Sequence, residues 1–154
     1  MAKLKLRGMD EYEDQLLGLA NITTEVIGRA IYSGAKEIAD QCRANIEALP
    51  IDTRVIRRDG DTRHGVTPKE KEGLLDGFGI ARLIDDNGFK HVKLGFDGYN
   101  YNGTPNVIIA RSLNSGSSFH DKIPFVDNAV SAKKTACEEA MKKTFDEELR
   151  KVVK

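Results

Sequence analysis

Between about Asp10 and Leu49, apolar residues return every three or four positions, and this pattern constrains the chain more than any other. Leu16, Leu19, Ile22, Val26, Ile27, Ala30, Ile31, Ala35, Ile38, Ala39, Cys42, Ile46 and Leu49 trace one buried stripe of α-helix. Asp10 followed by Glu13 has the form of a capping box, in which each side chain satisfies an orphan backbone N–H. Asn21, Thr23 and Thr24 interrupt the good helix formers, so the pattern predicts a break there and two helices. Gly28 and Gly34 each cost about 1 kcal/mol relative to Ala in a helix interior. Close approach of another backbone would account for both. Pro50 ends the zone, because the residue before a proline avoids the helical region.

A second helical stripe starts near Pro124, a residue suited to the first turn. It runs through Phe125, Ala129, Val130, Ala132, Ala136, Cys137, Ala140, Met141, Phe145, Leu149 and Val152. Glu138, Lys142, Asp146 and Arg150 form its charged, solvent-facing side.

Between the two stripes lies a hairpin signal. Asn87-Gly88 supplies the two residues that tolerate positive φ in a tight turn. Setting them as the loop pairs Asp86 with Phe89, Leu83 with Val92 and Ala81 with Leu94. One face then reads Ala81, Leu83, Val92, Leu94, Phe96, and the other Ile80, Arg82, Ile84, His91, Lys93. Two lone strands are not stable in water, so the helical zones must cover the apolar face. Val107 to Leu113 reads as one or two helical turns, followed by a Ser/Gly loop over Asn114 to Ser118. The expected fold is α+β: a small antiparallel sheet, the central hairpin, packed against a long N-terminal and a long C-terminal helix. The 154 residues suit a single domain over 1–154.

Residues 51–73 carry alternating charges and turn formers, and read as a long mobile loop. Its basic cluster Arg54, Arg57, Arg58 and Arg63, with Lys69 and Lys71 beyond, is the candidate contact for a partner or for DNA. Asp52, Asp59, Asp61, Glu70 and Glu72 interleave with it, and overall the 24 basic and 24 acidic residues cancel, so no global field attracts nucleic acid. Removing residues 54–66 is expected to leave the subunit folded. The N-terminus has no apolar run of signal-peptide length, and no stretch reaches the roughly 18 apolar residues of a membrane span. Cys42 and Cys137 each fall on a helical stripe and read as buried free thiols.

Catalytic and metal signals are missing from the sequence. His64, His91 and His120 sit in different zones without a tightly spaced ligand partner. Ser117, Ser118, His120 and Asp121 fall within five residues of one loop, whereas working triads assemble from distant rigid segments. The expectation is a non-enzyme with no metal and no cofactor.

One resemblance runs through the second half. Lys71-Glu72-Gly73-Leu74-Leu75-Asp76-Gly77-Phe78-Gly79-Ile80 precedes the hairpin with Asn87-Gly88-Phe89. Gly95-Phe96-Asp97-Gly98-Tyr99 and Pro105-Asn106-Val107-Ile108-Ile109-Ala110-Arg111 follow. Asn114-Ser115-Gly116-Ser117 then leads to Pro124-Phe125 and the last helix. In order and spacing these motifs resemble the gene-product-ten-like tail components of the head–tail neck of long-tailed bacteriophages and prophages. The signature positions are Gly95, Asp97, Gly98, Pro105, Asn106, Ala110, Arg111, Gly116, Pro124 and Phe125. The resemblance implies a virion protein, assembled in the host bacterial cytoplasm, that completes the tail or joins it to the head. It would act as a homo-oligomeric ring among other neck and tail proteins, with at most passing contact with genomic DNA. The alternative is a nucleic-acid-binding module using the basic loop 54–63.

Overall fold

The computed structural model describes the backbone of residues 9–55 and 60–152, and the side chains of residues 20, 23–55 and 60–151. Helix α1 spans Met9–Glu47, α2 Pro68–Gly77, α3 Asn106–Ser115 and α4 Phe125–Val152. Four short strands lie between α2 and α3: β1 Phe78–Ile80, β2 Ile84–Asp86, β3 Phe89–His91 and β4 Leu94–Phe96. The fold is α+β, with the long N-terminal helix packed on the long C-terminal helix.

Helices α1 and α4 run antiparallel, because ties from successive α1 residues step backward along α4. Arg29 reaches Glu148 at 2.5 Å, Ser33 donates to the Ala140 carbonyl at 3.4 Å, and Asn45 donates to the Phe125 carbonyl at 2.9 Å. A Cβ added at Gly34 would stand 2.5 Å from Met141 Cγ and 3.0 Å from the Cys137 carbonyl. The two helices cross there, and the expected close approach at Gly34 is present. At Gly28 the neighbour is a side chain, Leu83, at 3.3 Å.

The core gathers where α1 ends and α4 begins. Cys42, Ile46 and Leu49 of the first helical zone meet Val66, Leu74, Phe78, Ile109, Leu113, Phe125 and Ala129. Ile46, Leu74 and Leu113 are completely buried, and each such burial contributes about 1.5–3 kcal/mol. Cys42 and Cys137 are buried and unpaired.

Four sequence expectations need correction. The break at 21–24 does not occur: α1 is continuous there, and Thr24 Oγ1 donates to the Ala20 carbonyl at 3.2 Å. A hydroxyl that bonds back onto its own helix need not leave it. Second, the hairpin register holds only at the tip. Asp86 pairs with Phe89 across a turn with Asn87 at φ 52° and Gly88 at φ 90°. At the base Leu94 pairs with Ile80 rather than Ala81. Three residues, 81–83, oppose two, 92–93, so the chain carries one extra residue on its first arm. That shift turns Ile80 toward the core with Leu94 and Phe96, and leaves Ala81 exposed. Third, Val130, Ala132 and Leu149 of the α4 stripe are exposed.

Fourth, 51–73 is not one structureless loop. Thr67 caps a helix that starts at Pro68: its hydroxyl accepts from Glu70 N, while Glu70 Oε2 accepts from Thr67 N. Val66 is wholly buried and bonds in parallel with the Pro50–Asp52 segment. A deletion of 54–66 therefore removes a core residue and would not leave the fold intact. The Asp10–Glu13 box, Leu16, Leu19, Ile22 and Val152 have side chains outside the described residues.

Candidate functional site: surfaces on either side of helix α3

Helix α2 begins with Glu70 as its third residue, which the capping box places at the N-terminus, where a carboxylate is favoured. Glu70 is buried and faces Arg63, whose Nη1 lies 3.5 Å from Oε1. Arg63 N donates to the Phe119 carbonyl and Asp121 N donates to the Arg63 carbonyl, both at 2.9 Å. This short parallel pairing brings in His120, only 7% exposed. His120 Nδ1 sits 2.8 Å from Ser112 Oγ on α3. Its Nε2 stands 3.9 Å from Glu70 Oε2, too far for a hydrogen bond, and has no hydrogen-bond partner among the described residues. Burial pushes the Glu70 carboxyl up, but His120, the Thr67 N–H and Arg63 together hold it below its ordinary value.

Ser112, His120 and Glu70 are the residue types of a nucleophilic centre, drawn from three separated segments. Their bonding is that of a clasp. Ser117 Oγ accepts the backbone N–H groups of both Phe119 and His120 at 3.1 Å and shares a 2.5 Å bond with Ser112 Oγ. Those two N–H groups are the neighbouring donors an oxyanion would need, and both are committed. Glu70 Oε2 already accepts from Thr67 N. The cluster ties the 60s loop, α2, α3 and the 117–121 loop into one piece.

Above the clasp opens a cavity of 720 Å³. Its rim is apolar and wet: Val55 is 71% exposed, Phe119 67%, Tyr101 57% and Ile108 56%. On the other side of α3 lies a groove of 420 Å³ floored by Cys42 and Phe96 and flanked by the exposed Val107 and Val130, with Arg111 among its lining residues. Exposed apolar side chains therefore lie on both flanks of one helix.

The described members of the predicted basic cluster each have a partner within the fold, although Arg54 and Lys69 stay exposed. Arg54 clasps Asp52, with Nε 3.0 Å from Oδ1 and Nη2 2.7 Å from Oδ2, which together with Arg54 N–H holds the Asp52 carboxyl far below its usual range. Arg63 serves Glu70 and the Arg54 carbonyl. Lys71 Nζ donates to the Glu47 and Leu49 carbonyls at the end of α1. Lys69 Nζ lies 4.8 Å above the Tyr101 ring. Arg57 and Arg58 lie outside the described residues.

The signature positions form a scaffold. Asn106 is buried; its Nδ2 donates to the Asp97 carbonyl at 2.8 Å and its N–H to the Gly98 carbonyl at 3.0 Å. Asp97 Oδ1 accepts from Gly98 N at 2.7 Å. Pro105 precedes α3 and Gly116, at φ 78°, follows it. Ala110 and Phe125 are core residues, the Phe125 ring 6.1 Å from that of Phe96. Pro124 accepts Asn128 N–H in the first turn of α4. Gly95 lies opposite Gly79 in the β1–β4 ladder, and Arg111 is exposed.

Glu70 and Ser112 were not singled out from the sequence, although Thr67-Pro68-x-Glu70 carries a readable capping signal. The apolar rim had no signal, since exposure of Tyr101, Ile108 and Phe119 depends on tertiary placement. Among the described residues no three His, Cys, Asp or Glu side chains gather as a metal site, and no helix is long and apolar enough to cross a membrane. The chain matches no protein-family model, no curated protein and no solved structure.

Proposed function

We propose that the protein is a structural subunit of the head–tail neck of a long-tailed phage or prophage, completing the tail or joining it to the head by assembly. The observation that carries this reading is the work done by the signature residues. Asp97, Gly98 and Asn106 bond to one another, Ala110 and Phe125 fill the core, and Pro105 and Gly116 bracket α3, so the ordered motifs encode a scaffold. What that scaffold presents is α3 with apolar surface on both flanks, as an assembling subunit requires. The nucleic-acid alternative gains nothing from Arg54, Arg63 and Lys71, whose charges already serve protein partners.

The decisive experiment removes the gene from the phage or prophage that carries it. Filled heads and separate tails should accumulate, and supplying the protein in trans should restore joined particles containing it. Normal particles from the deleted phage would refute the assignment.

A further inference from the structure

We infer that the tip of the β2–β3 hairpin is a plug that seats in the groove between α3 and α4 of a second copy of this chain. This inference rests on the neck-subunit reading for its biological setting, but its evidence lies elsewhere.

The plug is defined by the turn. Asp86 and Phe89 face each other across Asn87-Gly88, so Ile84, Asp86, Phe89 and His91 share one face of the tip. On that face Phe89 is 70% exposed and Ile84 37% exposed, with the His91 ring 5.5 Å from Phe89. Asp85 points the other way and is neutralised by Lys90 at 2.5 Å. Asp86 makes no ion pair among the described residues. The tip therefore offers one aromatic ring with one unpaired carboxylate beside it.

The groove offers the complement. Its 420 Å³ falls within the range that accepts ligand-sized groups. Its lining is almost wholly apolar, and Arg111, exposed and without an ion pair among the described residues, supplies a cation. A phenyl ring in the groove with a carboxylate against Arg111 matches shape, polarity and charge.

The contact is between copies. Gly95 and Phe96 line the groove, and Phe89 lies six or seven residues back along the same arm, roughly 20 Å at about 3.3 Å per residue. The arm meets α1 at Tyr32 and Gly28 through Ala81 and Leu83, progressively farther from the Ile38 and Cys42 that line the groove, so its tip reaches only a neighbour's groove. Plug and groove are different surfaces of one subunit, so the contact is head-to-tail, the kind that closes into a ring or continues as a filament. One buried Phe covers about 150–250 Å², far short of the roughly 1,200 Å² of a stable interface. A single contact is therefore weak and gains strength from closure.

The test uses the full-length chain. Sedimentation equilibrium across a concentration series should show mass rising above the 17.1 kDa monomer. Phe89→Asp should abolish that rise. Asp86→Arg and Arg111→Glu should each raise the apparent Kd about tenfold or more, and the double variant D86R/R111E should recover most of the loss. Circular dichroism confirms that each variant is folded. As a trap for weak association, Phe89→Cys mixed with Val130→Cys should form an intermolecular disulfide faster than Phe89→Cys mixed with Val55→Cys, although Val55 is the more exposed of the two. Equal cross-linking in the two mixtures, or a double variant no better than the single ones, overturns the inference. Either result leaves the neck assignment standing, whereas absence of the protein from purified particles would overturn that assignment alone.

Discussion

Gly77 and Gly79 lie two residues apart, and the structure requires that alanine at each behave oppositely. A Cβ on Gly77 would fall on the carbonyl oxygen of Asp97 and 2.9 Å from Asn106 Nδ2. A Cβ on Gly79 meets nothing within 4 Å. Neither glycine has positive φ, so the comparison isolates close approach from backbone freedom. Gly77→Ala gains at most about 1 kcal/mol of helix propensity. It displaces Asp97, which donates its N–H to the Gly77 carbonyl at 2.8 Å and accepts from Asn106 Nδ2 at 2.8 Å. Losing two hydrogen bonds costs about 1 kcal/mol each, and an unpaired amide on buried Asn106 adds about 1–3 kcal/mol. The net loss is about 2–4 kcal/mol, or roughly 5–15 °C in Tm for a chain of this length. Gly79→Ala should be neutral or slightly stabilising, since glycine in a strand costs about 0.5–1 kcal/mol relative to alanine. Urea unfolding of both variants with matched m-values is the assay. A G77A midpoint equal to the wild type, or a G79A loss as large as that of G77A, would refute the packing account of this junction.

Thr67→Ala removes the hydroxyl arm of the α2 capping box and should cost about 1 kcal/mol by chemical denaturation. Asp52→Asn should lower stability at pH 7. The Arg54 side chain and N–H hold the Asp52 carboxyl below its ordinary 3.8, so its contribution is present above that value and lost as pH falls through and beneath it. The variant's stability profile should accordingly be flatter on the acid side, as thermal melts from pH 7 to pH 2 would show. Burial pushes the Cys42 thiol up to about 11, which leaves roughly a hundredfold less thiolate at pH 8 than an ordinary thiol has. Labelling of Cys42 by a thiol reagent should therefore be at least that much slower in the native protein than in urea.

The elements legible in the sequence were those with strong periodicity or a dedicated turn residue. Both long helical zones, α3 and the Asn87-Gly88 turn follow directly from spacing and chemistry, although the break expected at 21–24 does not occur. Three features were not legible. The one-residue shift between 81–83 and 92–93 follows from Phe78 and Ile80 reaching the core from the base of the hairpin, a demand that alternation around the turn does not contain. Helix α2 was hidden because Lys69, Lys71 and Glu72 read as a solvated charge run, although the Thr67–Glu70 box marks its start. The clasp was hidden for a third reason: Arg63, Glu70, Ser112 and His120 meet only after the 60s loop pairs with 119–121. A charge cluster in a sequence is thus a weak guide to an electrostatic surface, because Arg63 and Lys71 are spent on partners within the fold and even the exposed Arg54 is paired with Asp52.

The buried charges also bear on how the surfaces of α3 are presented. Removing one partner of a buried, hydrogen-bonded charge cluster is costly, because the other is left uncompensated. Arg63 and Glu70 are such a pair, and with His120, held by Ser112, they line the floor of the cavity rimmed by Val55, Tyr101, Ile108 and Phe119. Of that rim, Ile108 shares helix α3 with Ser112, and Phe119 precedes His120, so both stand beside these bonds. In the assembly role proposed above, such a preformed surface would lose less ordering entropy when a contact forms.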